Sequence, residues 1–227
     1  MASKNERDKV VRVCRSKEQA RESYDKISKF YDFLIGIFER KYRNMALDRL
    51  CIDEGETLLE VGFGTGHCLR KIAKLVGETG RAYGIDISPG MLEVTKKRLE
   101  KAKLIDRVEL HCGDAMEMPF NDGKFDAVFS SFTLELFDTP EIPMVLNEIK
   151  RVLKPDGRFG LISMSKEDGD SNMIKLYEWI HKKIPEYADC RPIYVAKSLK
   201  DNGFRIKKEE RVRMFGLPAE IVIAEKT

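Results

Sequence analysis

The chain has 227 residues, 42% of them apolar, which is ample for one sizeable core and long for two. A formal net charge of +3 with 35% charged residues describes a well-solvated globular surface, and acids and bases are mixed along the chain, so no basic tract points to nucleic acid. No apolar run approaches the ~20 residues that a bilayer span needs. Residues 1–15 are highly charged rather than leader-like. The five cysteines (Cys14, Cys51, Cys68, Cys112 and Cys190) are scattered without metal or redox spacing, so reduced packing thiols and a cytoplasmic location are expected.

Taken in order, residues 1–15 form a charged arm, and a helical pattern follows from Lys17 to about Asp48. Its middle, Phe30-Tyr31-Asp32-Phe33-Leu34-Ile35-Gly36-Ile37-Phe38, is apolar and aromatic, and Lys26, Lys29, Arg40, Lys41 and Arg43 flank it. Three readings fit: a helix buried on the main domain, a lid over a substrate, or an interfacial helix through which residues 30–38 touch the inner face of a membrane.

Thr57-Leu58-Leu59-Glu60-Val61 reads as a short buried strand, ending in Gly62, Gly64 and Gly66. Leu69, Ile72, Ala73, Leu75 and Val76 then recur at helical spacing, so strand, glycine turn and helix make the first half of a βαβ unit. The dinucleotide fingerprint wants its third glycine three residues after the second, and His67 stands there instead. Glu60 beside the turn would repel a pyrophosphate and suits a ligand carrying positive charge. No Gly-Lys-Ser/Thr follows, which excludes a P-loop. Cys68 lies at the helix start, a position that lowers a thiol pKa.

A second strand, Arg81 to Ile85, ends at Asp86, 24 residues after Gly62 and near the offset at which a carboxylate accepts from ribose hydroxyls. Ser88-Pro89 supplies an N-cap and a first-turn proline for the next helix. Strands are expected over Val108 to Cys112, ending in Gly113-Asp114-Ala115, and over Phe125 to Ser130. A helix over Ile142 to Leu153 stops at a Lys154-Pro155-Asp156-Gly157 turn, and a fifth strand runs from Arg158 to about Met164. Asp168 to Asn172 lacks the glycine and the acid of a calcium loop, so no metal is expected. Met173 to Lys183 with Trp179, and Val195 to Asn202, read as helices. Two closing strands, Phe204 to Arg211 and Ala219 to Glu225, flank a Gly216-Leu217-Pro218 turn.

Glu60-Val61-Gly62-Phe63-Gly64-Thr65-Gly66 resembles the first motif of the class I S-adenosylmethionine-dependent methyltransferases, most nearly the ubiquinone/menaquinone-biosynthesis C-methyltransferases. Asp86, Asp114 and Leu153-Lys154-Pro155-Asp156-Gly157-Arg158 follow in the family's order, and the likeness runs from about Tyr24 to the C-terminus. It implies an α/β fold with a seven-stranded Rossmann-like sheet of order 3-2-1-4-5-7-6, helices on both faces, a helical arm and cap over residues 1–50, and the main domain over 51–227. It also implies S-adenosylmethionine as cofactor, held by Glu60, Gly62, Phe63, Gly64, Gly66, Asp86, Ile87, Asp114, Ala115 and Ser130, with Ile87 and Met116 flanking the adenine. Tyr24, Tyr31, Phe33, Phe132 and Glu135 would then line the acceptor pocket.

The loop Ser131 to Asp138, which faces the methyl group in that family, has neither Asn/Asp-Pro-Pro-aromatic nor Pro-Cys, so a nucleobase acceptor is disfavoured. Its apolar and hydroxylic content suits a small, partly hydrophobic acceptor, with a prenylated quinone or a phenazine-type aromatic favoured. A phospholipid amine is the alternative acceptor, and a non-catalytic cofactor-binding regulator is the alternative class. In-line transfer needs a base only if the nucleophile must lose a proton; Glu135, His111, His67 and Tyr31 are the candidates.

Overall fold

The computed structural model describes residues 10, 12–13, 18–19, 21–22, 25, 37–166, 191–214 and 216–227. The first continuous element is helix α1 (Ile37–Leu50), followed by strand β1 (Thr57–Val61), helix α2 (His67–Leu75), strand β2 (Arg81–Asp86) and helix α3 (Pro89–Lys101). Then come strand β3 (Val108–Cys112), strand β4 (Phe125–Ser131), a 3-10 turn (Leu134–Leu136), helix α4 (Ile142–Val152) and strand β5 (Leu153–Met164). Helix α5 (Val195–Asp201) and strands β6 (Phe204–Met214) and β7 (Leu217–Lys226) close the chain.

The strands form one seven-stranded sheet of order β3-β2-β1-β4-β5-β7-β6, the expected order. The first five pair in parallel; β7 runs antiparallel to both β5 and β6. A parallel strand is buried on both faces, and this is why β1 and β4 read as continuous apolar runs. Alternation along β1 sends Leu58 to the core under α1, α2 and α3, and Leu59 and Val61 to the core under α4 and α5. Glu60, two residues after Leu58, is therefore on the α1–α2 side of the sheet.

One boundary here differs from expectation. Lys154 to Gly157 lies inside β5 rather than ahead of it: Phe125 already pairs with Leu153, and the register slips before Ala127 pairs with Arg158. Proline and glycine are accommodated by a bulge where a turn was expected. Residues 37–50, the described part of the N-terminal helical segment, pack on the main domain. Ala46, Leu47 and Leu50 are fully buried in the same core as Leu58 and Phe129. Arg158 anchors the helix end by donating to Leu50 O at 3.1 Å and to both Glu56 carboxylate oxygens at 2.9 and 2.8 Å.

Tyr24, Tyr31, Phe33, the side chains of the 30–38 stretch, the 173–183 helix with Trp179, and residues Asp168 to Asn172, Cys14 and Cys190 lie outside the described residues. Among the described residues, no helix is long and apolar enough to cross a membrane.

Candidate active site

The C-terminal ends of β1, β2, β3 and β4 stand side by side, and the glycine turn leaves β1 at that edge. Val61 pairs with Ile85 on one side and with Ser130 on the other, and Asp86 pairs with Cys112. Gly62 donates its amide to Ile85 O at 2.8 Å, and its φ of 73° is one that side chains rarely adopt. A Cβ there would come within 2.3 Å of Thr133 Oγ1, so the chain after β4 crosses directly over Gly62. Gly64 differs. Its φ is 51°, yet a Cβ would meet nothing within 4 Å, so this side of the turn is open to a ligand.

Asp86 holds the turn in place. Its Oδ2 accepts from Gly64 N at 2.8 Å and its Oδ1 from Ser88 N at 3.0 Å. Burial nevertheless pushes its pKa up to about 6. A carboxylate has roughly four lone-pair positions, so these two bonds leave room for hydroxyl donors. Ser88 caps α3 as expected, accepting from Met91 N at 3.0 Å. At the neighbouring strand end Gly113 N donates to Asp86 O at 2.9 Å, and Asp114 Oδ1 accepts from Met116 N at 2.9 Å. Ile87 and Ala115 thus follow two adjacent carboxylates at adjacent strand ends. Ser130 closes the β1–β4 seam by donating to Val61 O at 3.2 Å. Phe63 packs its ring into the core against Gly84, where a Cβ would lie 2.7 Å from Phe63 Cδ1, so only its main chain belongs to the site.

Glu60 is 1% exposed, and its Oε2 has no hydrogen-bond partner among the described residues. Burial raises its pKa well above the ordinary carboxylate range, opposed by the nearby Arg43 guanidinium and assisted by the charge of Asp86. A buried, unpartnered carboxyl oxygen is costly unless a ligand completes it. Cys68 lies beside it, and there burial outweighs the helix start: the thiol is pushed up to about 12, making it inert rather than reactive.

Helix α1 brings in two residues that sequence reasoning missed in this role. Arg43, grouped above with the membrane-facing cations, turns inward with its side chain 11% exposed and donates to Glu39 Oε2 at 2.5 Å. Its Cζ lies 5.8 Å from the centroid of the Phe132 ring. Spacing of i, i+4 was the only available signal, and only tertiary packing shows that this pair is buried. Arg40 and Lys41 remain exposed.

Phe132 holds a φ of 52°, a left-handed conformation costing a bulky residue about 1–3 kcal/mol. Its amide donates to Ile162 O at 2.8 Å, which fixes the turn that carries Thr133 over Gly62. Glu135 follows, fully buried, its Oε2 accepting from Ser163 Oγ at 2.8 Å and its Oε1 from Met164 N at 3.1 Å. Desolvation lifts its pKa to about 7 against these bonds, and the Glu39 charge adds to the rise. Its carboxyl therefore ties the post-β4 turn to the end of β5.

Of the other candidate bases, His67 opens α2 and His111 does not join the group. His111 sits on the outer strand β3, 2.7 Å from Glu109 Oε1 and edge-to-face with Phe120 at 4.8 Å. Tyr31 lies outside the described residues. The N-terminal arm reaches the site at two points. Arg12 Nε donates to Asp138 Oδ1 and Oδ2 at 2.8 and 2.9 Å, holding that carboxyl near 2. Asp25 Oδ1 accepts from Ser88 Oγ at 2.5 Å and from Gly90 N at 2.9 Å, next to Asp86.

Comparison with known proteins agrees with this geometry. The methyltransferase-domain family matches residues 58–157, from β1 to the bulge of β5. A demethylmenaquinone methyltransferase of Symbiobacterium thermophilum is 33% identical over 217 residues, covering 88% of this chain and 85% of that protein. The demethylmenaquinone methyltransferase of Staphylococcus aureus strain JH9 is 40% identical over 146 residues, covering 63% of this chain and 58% of that protein. Among solved structures, a SAM dependent methyltransferase from Aquifex aeolicus superposes with a TM-score of 0.65 at 26% identity, covering 91% of this chain and 98% of that one. The glycine turn, the two strand-end carboxylates, the antiparallel closing strands and this kinship have one meaning: the chain belongs to the class I S-adenosylmethionine-dependent methyltransferases, and S-adenosylmethionine is its cofactor.

Proposed function

We propose that this methyltransferase acts on a quinone-type aromatic acceptor, presented in its reduced, electron-rich form. The observation that carries this reading is the 33% identity to a demethylmenaquinone methyltransferase across 88% of the chain. The site is compatible with it. Phe132, Leu134 and Met164 are buried apolar neighbours of the glycine turn and the ends of β4 and β5, with Ser131 and Ser163 among them.

The residues present fit the cofactor: among the described residues Glu60 Oε2 has no hydrogen-bond partner, and a Cβ on Gly64 would meet nothing within 4 Å. Asp86 would accept from the ribose hydroxyls and Asp114 from the adenine amino group, with Ile87 and Ala115 against the ring faces. When bound, S-adenosylmethionine supplies a methyl group already activated by its sulfonium. What the chain adds is orientation and exclusion of water, effects worth up to about 7–11 kcal/mol where alignment is good. Phe132 and Thr133, held over Gly62 by the strained turn, shape the side from which an acceptor approaches. Glu135 acts as a positioning residue, because both its oxygens are occupied by Ser163 and Met164.

The test is transfer of labelled methyl groups to a short-chain demethylmenaquinol and, separately, to phosphatidylethanolamine vesicles. Transfer to the quinol alone is expected. Transfer to the lipid amine alone would overturn the acceptor class. Cofactor binding without transfer to either would favour a regulatory role.

A further inference from the structure

Two buried side chains of opposite charge fasten the two halves of the turn after β4. Glu135 fastens the first half to β5 through Ser163 and Met164. Arg191 fastens the second half: one terminal nitrogen donates to Phe137 O, and the other donates to Thr139 Oγ1 at 3.3 Å. The main chain brings Arg191 to this place. Ile193 N donates to Met164 O at 3.1 Å and Lys166 N to Ile193 O at 3.0 Å, which adds a parallel bridge at the end of β5. The Arg191 side chain is 1% exposed, and its Nε has no hydrogen-bond partner among the described residues. Burial lowers its pKa, opposed by the charges of Asp138, Glu135 and Glu141 and assisted by that of Arg12. A buried guanidinium with one donor unsatisfied is costly, and an apolar side chain of similar volume would fill the same space without that cost. Stability alone therefore does not account for an arginine here.

We propose that Arg191 is a positioning residue for methyl transfer: acting through Phe137 and Thr139, it holds residues 132–138 in the one conformation that the acceptor meets. This rests on the acceptor side proposed above for Phe132 and Thr133, and not on which acceptor is used. The turn needs such a hold because Phe132 stands at a φ of 52°, and a strained conformation persists only where its surroundings over-determine it. Its start is fixed by Phe132 N on Ile162 O and by Glu135. Further along, Leu136 N and Phe137 N donate only within the turn, to Thr133 O and Leu134 O. Arg191 supplies the buried tie from this second half to another element. The ion pair of Arg12 with Asp138 is a weaker addition, because the Arg12 side chain is 65% exposed and open to screening by salt. A planar guanidinium presents several donors in a fixed fork, so it can hold two acceptors at once in one geometry.

Three measurements on the full chain separate this role from general support of the fold: S-adenosylhomocysteine affinity, acceptor kinetics and amide hydrogen exchange. Arg191→Gln should keep S-adenosylhomocysteine affinity within about twofold of wild type, since the glycine turn and Asp86 lie on other elements. Its kcat/KM for a short-chain demethylmenaquinol should fall by about tenfold or more, because a displaced turn misaligns the acceptor. Exchange at the Leu136 and Phe137 amides should quicken by about tenfold or more, with β1 and β2 amides unchanged. Arg191→Lys, which keeps the charge without the fork and serves if the glutamine variant folds poorly, should recover part of the lost kcat/KM. Equal losses of S-adenosylhomocysteine affinity and kcat/KM in both variants would show a general structural role and overturn the proposal. Unchanged kcat/KM in folded Arg191→Gln would overturn it too. If the wild-type protein transfers no methyl group to the quinol, the acceptor reading fails on its own. Exchange at Leu136 and Phe137 then decides the hold, and unchanged rates in Arg191→Gln would refute it.

Discussion

Replacing Asp86 with alanine is expected to weaken S-adenosylhomocysteine binding by about tenfold or more and to lower the unfolding free energy by roughly 2–4 kcal/mol. The two effects have separable causes. Binding suffers because the acceptor for the ribose hydroxyls is gone. Stability suffers because Gly64 N and Ser88 N, now bonded at 2.8 and 3.0 Å, lose their shared partner at a turn where Gly64 already holds a φ of 51°. Asp86→Asn separates them further: its single carbonyl oxygen can serve only one of the two amides, and its NH2 faces the other as a second donor. The asparagine variant should therefore lose stability almost as the alanine variant does. Calorimetric titration and urea unfolding measure the two losses. Unchanged affinity in a folded alanine variant would place the ribose elsewhere.

The second large effect concerns pH. The folded-state pKa of Glu135, about 7, lies above its ordinary value of 4.5. The stability that goes with its neutral form is therefore fully present below about 4.5 and is lost as pH rises through about 7. A shift of this size corresponds to roughly 3 kcal/mol between those limits. Asp86, raised to about 6, contributes in the same direction over a lower window, whereas Asp138, held near 2 by Arg12, acts only in stronger acid. The charged and titratable groups facing Glu135 are Glu39 from α1 and Arg191 ahead of α5, together with the Ser163 hydroxyl on β5. In ligand-free protein, Glu135→Gln can keep its carbonyl oxygen accepting from Met164 N and turn its NH2 to donate to Ser163 Oγ, while removing the titration. Its stability relative to wild type should rise by roughly 3 kcal/mol between pH 4.5 and pH 8. A difference that stays constant across that range would mean that the carboxyl is not confined as described.

Much of this architecture was legible in the chain because the determining physics is local. Three alternating glycines after a buried strand demand a tight turn, and Gly62, Gly64 and Gly66 all hold positive φ. A serine N-cap followed by proline at the first helical position is a local helix-start signal, and Ser88-Pro89 starts α3 here. Boundaries that depend on a partner strand were less legible. Proline and glycine ahead of Arg158 read as a turn, but pairing of Leu153 with Phe125 draws that segment into β5 as a bulge. β6 runs to Met214, beyond the expected end at Arg211, because β7 begins earlier, at Leu217, and pairs with its last residues.

In the site, the strand-end carboxylates were readable from spacing, while Arg43 was not. A cation at i+4 from Glu39 on a charged helix looks solvated, and what buries it is the meeting of α1 with Phe132 and with the face of β1 that carries Glu60. Cys68 is the packing thiol that the scattered cysteines implied: although it stands at a helix start, burial beside Glu60 pushes its pKa up to about 12.

The central claim is that the turn at Gly62 to Gly66, flanked by Glu60 and Asp86, binds S-adenosylmethionine rather than a dinucleotide. Calorimetric titration of the full chain with S-adenosylhomocysteine and, separately, with NAD tests it most directly. The predicted result is one S-adenosylhomocysteine bound per chain and no heat from NAD. Saturable NAD binding with no response to S-adenosylhomocysteine would contradict the account.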